Sequence, residues 1–148
     1  TCFRRESSYT PLERQWSFSM REIVCLGTPE EIREFLARMR ARIDAAWRTL
    51  GLNLAWQDAT DAFFDPAQNP KALYQKVDPV KQELVFEDRL AIASTNQHRS
   101  YFGEVFGIQR DGAPVHSACV AFGVERWLSA WVHSFGVDPK RWPEVPSR

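Results

Sequence analysis

The apolar positions change period several times along the chain, and each change predicts an element. Trp16, Phe18, Met20, Ile23 and Val24 suit a strand, and the short run Thr1–Glu6 before the loop residues Ser7, Ser8, Tyr9, Thr10 and Pro11 predicts a second strand across a long hairpin loop. Gly27-Thr28-Pro29-Glu30-Glu31 then announces a helix: Thr28 can cap, Pro29 suits the first turn, and the glutamates complement the positive end of the dipole. Ile32, Phe35, Leu36, Met39, Ile43, Ala46, Trp47 and Leu50 recur every three or four residues, carrying that helix to about Leu50, where Gly51 stops it.

The second half reads as strands with flanking helices. Leu52–Asp58 predicts a strand, and Ala62–Pro79, with Pro66, Pro70 and Pro79, predicts an irregular or partly helical insertion. Lys81–Glu87 and Leu90–Asn96 predict a hairpin turning near Asp88-Arg89. A short helix is expected over His98–Val105, an extended piece over Phe106–Arg110 and a turn at Asp111-Gly112. Val115–Gly123 is a small-residue strand running directly into a helix over Val124–Phe135. Runs of strands with helices beside them, rather than strict alternation, predict an α+β domain with an antiparallel sheet.

Composition narrows the function. The chain has 148 residues, 44% hydrophobic and 26% charged, which is enough for one packed core. Its 19 basic and 19 acidic residues cancel, which argues against broad attraction to a polyanion. Of the basic residues only Lys71, Lys76, Lys81 and Lys140 are lysines, so the positive charge is carried by groups able to fork onto carboxylate or phosphate. No stretch approaches the roughly 20 apolar residues of a membrane span and no leader pattern opens the chain, so neither insertion nor export is expected. Cys2, Cys25 and Cys119 form no Cys-x-x-Cys pair, and a reducing cytoplasmic setting is expected. Thr1 rather than Met comes first, and a truncated chain is expected.

The chemistry concentrates in two stretches. In the first, Phe3-Arg4-Arg5-Glu6, a loop, and Arg14-x-x-x-Phe18-x-x-x-Glu22 outline an ATP site without a Walker loop. Arg4 can hold a phosphate, Glu6 can accept from an amino group, and Arg14 can reach a second phosphate. Phe18 and Glu22, four apart, should share one face of a strand as a stacking plate and a carboxylate. In the second, Ala118-Cys119-Val120-Ala121-Phe122-Gly123-Val124-Glu125-Arg126 puts small side chains where a flat ligand can lie, with Arg126 at a helix start to stack on a purine or pair with phosphate. Alone, Arg4 and Glu6 would be an ordinary surface ion pair, a preference that their full spacing with Arg14, Phe18, Glu22 and Arg126 reverses; Cys119 by itself reads as a buried apolar residue.

These stretches resemble motifs two and three of the class II aminoacyl-tRNA synthetase catalytic fold, with Ala121 where a glycine is usual. Phe18-Ser-Met-Arg-Glu-Ile-Val-Cys-Leu-Gly-Thr-Pro-Glu, Ala59-Thr-Asp-Ala-Phe-Phe, Ser94-Thr-Asn-Gln-His-Arg-Ser-Tyr-Phe-Gly and Phe135-Gly-Val-Asp-Pro-Lys-Arg-Trp-Pro look most like the amino acid:[carrier protein] ligases, which are related to the atypical zinc-dependent seryl-tRNA synthetases. The resemblance covers essentially residues 1–148 and implies the C-terminal part of such a catalytic domain, ATP with Mg2+ as cofactors, and a homodimeric full-length protein. It implies activation of a small amino acid, glycine or alanine ahead of serine, as its adenylate. The acceptor would be the phosphopantetheine thiol of an acyl carrier protein, with tRNA as the alternative acceptor and a non-catalytic binding module as the alternative role.

Residue by residue, the resemblance implies that Arg4 holds the α-phosphate, Glu6 the adenine amino group and Arg14 the distal phosphates, while Phe18 and Arg126 sandwich the adenine. Arg4 and Arg126 would be catalytic. Ser94 and Asn96 would border the amino acid, and Glu22 and Cys119 would be two ligands of a Zn2+ ion that takes the substrate amine, the family's other cysteine lying upstream of motif two. Leu90 stands where related synthetases carry an acidic residue. Cys25, Trp127 and Trp131 read as core, His98 as a possible site residue, His116 and His133 as structural or exposed. The arginine-rich helix reads as a solvated face, with a dock for an acidic carrier protein as its functional alternative.

Overall fold

The computed structural model describes residues 1–59 and 80–144, so the expected insertion at 62–79 and most of the Ala59–Phe64 motif lie outside the described residues. A five-stranded, wholly antiparallel sheet forms the frame. Its strands are β3 (Met20–Gly27), β4 (Leu54–Asp58), β5 (Lys81–Phe86), β6 (Leu90–Arg99) and β9 (His116–Gly123), in the order β3-β9-β6-β5-β4. A separate hairpin pairs β1 (Cys2–Phe3) with β2 (Ser17–Phe18), and a second pairs β7 (Gln109–Arg110) with β8 (Ala113–Pro114). Among the described residues no helix is long and apolar enough to cross a membrane.

The long helix α1 (Pro29–Leu50) follows its sequence signals closely. Thr28 Oγ1 accepts from the Glu31 amide and the Glu31 carboxylate accepts from the Thr28 amide, a complete capping box. Gly51, at φ +67°, closes the other end by donating its N–H to the Trp47 carbonyl, a conformation that disfavours a residue with a Cβ. Ile32, Phe35, Ile43, Trp47 and Leu50 are buried against the sheet residues Leu84, Ala93, Ala118 and Val120, with Cys25 packed alongside. Helix α3 (Val124–Phe135) joins this core through Ala130 and through Trp127, which lies against Trp47 and Phe122; Trp131 packs on Phe135 and Trp142. The packing roles of Cys25, Trp127 and Trp131 are as expected.

Two elements depart from expectation. The strand from Trp16 to Val24 breaks at Ser19, whose amide donates to both oxygens of Glu125 at 2.9 Å while its carbonyl accepts from the Val124 amide. The helix expected from His98 instead starts at Tyr101 (α2, Tyr101–Phe106), because β6 runs on to Arg99, which pairs with Ser117 across an irregularity in the β9 register. Pairing to a neighbouring strand outweighs local helix preference there.

Candidate functional site

Residues opposite one another in an antiparallel sheet share a face. On the face away from α1, the register therefore aligns Met20 with Gly123, then Glu22, Ala121, Ser94 and Glu83, then Val24, Cys119, Asn96 and Lys81. Helix α1 and its core occupy the other face. The β1–β2 hairpin and the start of α3 close over the first of these rows, and a cavity of about 330 Å³ lies between them. That size is at the lower end of small-molecule sites.

Four of the residues given a ligand role from the sequence line this cavity: Arg4, Phe18, Ser94 and Arg126. The Arg4 guanidinium sits 5.6 Å from the Phe18 ring centroid, within cation–π range, so a cation and an aromatic plate stand together at one end. Arg126 is half-buried; its Nε donates to the Glu13 carbonyl at 2.8 Å and its Nη1 to the Ala91 carbonyl at 2.9 Å. Burial, then the like charges of Arg4 and Arg14, pull its pKa below the ordinary arginine value against the opposing pull of Glu83 and Glu6.

Glu6 and Arg14 stand just behind Arg4. The Glu6 carboxylate accepts from Arg4 Nε at 2.6 Å on one oxygen and from Arg14 Nη1 at 2.7 Å on the other, so one anion holds both arginines. Burial by itself would raise the Glu6 pKa; the hydrogen bonds from Arg14 and Arg4 and their charges outweigh it, and the carboxyl titrates below the usual range. Trp16 braces this corner by donating its indole N–H to the Glu6 carbonyl at 3.0 Å.

Asn96, Cys119 and Glu22 share the cavity's sheet face but lie beyond the cavity itself. Asn96 Nδ2 donates to Ser94 Oγ at 3.1 Å and points at Cys119 Sγ at 3.4 Å, while His98 Nε2 approaches the same sulfur at 3.8 Å and its Nδ1 meets Ser117 Oγ at 3.1 Å. His98 thus stands beside the residues Asn96 and Cys119. Ala121, between Glu22 and Ser94 in the register, is buried and lines the cavity. Among the described residues no group of three or more Cys, His, Asp or Glu side chains is placed to hold a metal ion, and Glu22 and Cys119 by themselves do not make a zinc site.

The break at Ser19 modifies the Phe18–Glu22 pair: the two lie on separate strands, Phe18 in the cavity and Glu22 exposed on β3 beyond Met20. Sequence reasoning also missed Lys81, Glu83 and Glu125, which line the cavity as well. Lys81 and Glu83 form an ion pair at 3.2 Å and reach the site only because β5 pairs with β6; Glu125, next to Arg126, had a signal in its position at the helix start. His116 is half-buried, and His133 is exposed and lies 3.3 Å from Glu87, as structural or surface residues.

Several known proteins are similar to this chain in sequence or fold. The chain is 43% identical to the amino acid–[acyl-carrier-protein] ligase 1 of Bradyrhizobium diazoefficiens, over 96% of this chain and 45% of that protein. It is 26% identical to the type-2 serine–tRNA ligase of Methanopyrus kandleri over 90% of this chain and 28% of that protein. It thus spans less than half the length of these relatives. The solved structure of M. kandleri SerRS in complex with A. aeolicus tRNASec superposes with a TM-score of 0.74 at 21% identity, over 90% of this chain and 28% of that one, and shares its fold. Residues 1–135 match the family profile described as tRNA synthetase class II core domain (G, H, P, S and T), and the chain belongs to that family.

Proposed function

We propose that this chain supplies the adenylate-forming site of an enzyme that activates a small amino acid with ATP and passes it to the phosphopantetheine thiol of a carrier protein. The observation that carries this reading is the cavity in which Arg4, Phe18 and Arg126 converge above Ser94, supported by the 43% identity to a ligase of that name against 26% to a serine–tRNA ligase.

The chemistry follows from the residues in place. Phe18 and Arg126 take the two faces of the adenine. ATP phosphates displace the Glu6 carboxylate from Arg4 and Arg14, and Glu6 is then free to accept from the adenine amino group. Arg4 holds the α-phosphate. The substrate carboxylate, already ionised at neutral pH, attacks the α-phosphorus; a new O–P bond forms and the bond to the β-phosphate breaks, releasing pyrophosphate toward Arg14. The carrier thiol, giving up its proton, then attacks the adenylate carbonyl, and AMP leaves as the thioester forms. Catalysis is positioning and charge neutralisation, with no general base needed in the first step.

Ser94 and Asn96 border the amino acid. Glu83, which lines the cavity and pairs with Lys81, would offer a carboxylate to the Mg2+ that accompanies ATP. Glu22 and Cys119 would supply two ligands of a zinc ion, which, when bound, selects a substrate by its free amine; the set requires a further ligand. The deciding experiment is amino-acid-dependent exchange of pyrophosphate into ATP by the full-length protein, followed by transfer to holo carrier protein or to total tRNA. Loading of the carrier supports the ligase, loading of tRNA makes the protein a synthetase, and no exchange with any small amino acid leaves a binding module.

A further inference from the structure

We propose that Glu13 is a positioning residue: with Arg89 and Ser129 it clasps the hairpin loop onto the sheet and thereby fixes Arg14 and Arg126 relative to each other. The inference rests on the reading of those two arginines as nucleotide ligands.

Three separate elements meet at this one residue. The loop between β1 and β2 closes in a tight turn in which Thr10 and Arg14 exchange two backbone hydrogen bonds at 2.9 Å and the Glu13 amide donates to the Thr10 carbonyl. The Glu13 carboxylate then takes both arms of Arg89, at 2.5 and 2.9 Å, from the β5–β6 turn, and the hydroxyl of Ser129, at 3.0 Å, from α3. Its backbone carbonyl accepts Arg126 Nε. Ser129 and Arg126 are three apart on α3, so the side chain and the main chain of Glu13 grip the same helix face.

This differs from an ordinary surface ion pair, which joins two flexible side chains in one geometry and contributes little. The contact here is bidentate, has a third donor, links residues 76 positions apart, and is part-covered: the Glu13 side chain is 19% exposed against 53% for Arg89. The Arg89 hydrogen bonds hold the Glu13 carboxyl below its usual pKa against burial, and Ser129 adds to the effect, so the acceptor stays charged. The backbone on both sides is unusual as well. Leu12, beside Glu13 and lining the cavity, has φ +64°, and Glu87 and Asp88, which present Arg89, have φ +49° and +54°. Non-glycine residues persist in this region when surrounding contacts over-determine them, and they gather at sites where geometry is set for function. Arg14 follows Glu13 directly, so fixing one places the other.

The test uses pyrophosphate exchange by the full-length protein carrying Glu13→Gln, Arg89→Ala, Ser129→Ala or the pair E13Q/R89A. The expected result is an ATP KM raised about tenfold in the first two variants and about threefold in S129A, with the amino acid KM unmoved and the pair no worse than either single change. R89K should recover part of the loss. A merely structural role would lower the folded fraction, and hence the apparent kcat, without moving the ATP KM. An unchanged ATP KM in all three single variants overturns the proposal. If the unsubstituted protein exchanges no pyrophosphate, the functional reading fails on its own, and amide hydrogen exchange decides the clasp: faster exchange at Thr10 and Arg14 in R89A than in the parent upholds it, and unchanged protection overturns it.

Discussion

Glu125 receives the Ser19 amide on both of its carboxylate oxygens at 2.9 Å, across 106 residues of sequence. This contact separates the hairpin strand β2 from the sheet strand β3 and ties the start of α3 to the break. Burial by itself would raise the Glu125 pKa, but the hydrogen bonds to the Ser19 and Glu125 amides outweigh it and hold the carboxyl ionised. Glu125→Ala leaves a half-covered amide without its acceptor and should cost about 1–2 kcal/mol in urea unfolding. Because Glu125 also lines the cavity with Phe18 and Met20, the same substitution should weaken ATP binding by calorimetry. A variant as stable as the parent would mean that the pairing is incidental.

The depressed carboxyls set a direction for pH dependence. Glu6, Glu13 and Glu125 all titrate below the ordinary value of 4.5 in the folded chain. A group with a lowered folded pKa contributes its full share of stability above the unfolded value and loses it as pH falls through the folded one. Stability should therefore hold from neutrality down to about pH 5 and fall progressively below about 4.5. Glu6→Gln, which removes the anion shared by Arg4 and Arg14, should make that acid loss shallower. Denaturant midpoints measured across this range check both statements, and a midpoint that rises on acidification would contradict them.

How far the sequence disclosed this molecule depends on where each determinant lies. Helix α1 was legible because its cap, its buried face and its stop are all local, in Thr28, Ile32 through Leu50, and Gly51. The run from β9 into α3 was legible for the same reason. The break at Ser19 was not, since the acceptor that stabilises it is Glu125, and the extension of β6 to Arg99 depends on Ser117 in another strand. The candidate site divides in the same way. Arg4, Phe18 and Arg126, singled out by spacing, line the cavity, whereas Lys81 and Glu83 reach it only through cross-strand register. Glu13 carries no local signal at all; its partners Arg89 and Ser129 are 76 and 116 residues away.

Arg126 illustrates how a residue proposed to hold a ligand can also hold the fold. The sequence alone suggests that Arg126→Ala would stop adenylate formation with little loss of folding, because the motif assigns the side chain to ligand. In the structure its Nε and Nη1 satisfy the Glu13 and Ala91 carbonyls, so removing the guanidinium should also cost about 1–3 kcal/mol. Arg126→Lys keeps the charge but cannot reproduce a planar fork reaching two carbonyls. We expect pyrophosphate exchange to be lost in both variants, with the unfolding midpoint lower in Arg126→Ala. Exchange at the parental rate in either variant would remove Arg126 from the nucleotide site.

Cys119 offers the sharpest test of the proposed amino acid pocket. Its sulfur is buried, approached by Asn96 Nδ2 at 3.4 Å and by His98 Nε2 at 3.8 Å, on the same sheet face as Glu22. A cysteine serving only the core would accept serine at a modest stability cost and leave the metal content untouched. A thiolate ligand differs, because serine's hydroxyl does not ionise at neutral pH and binds zinc far more weakly. In the full-length protein, Cys119→Ser should therefore lower the zinc retained after dialysis against a chelator, and Glu22→Gln should do so as well. Replacing the zinc with cobalt adds a second readout, since a thiolate–cobalt charge-transfer band should be reduced in Cys119→Ser and kept in Glu22→Gln. Equal zinc content and an unchanged band in Cys119→Ser would return the residue to the core and leave Ser94 and Asn96 to select the amino acid without a metal.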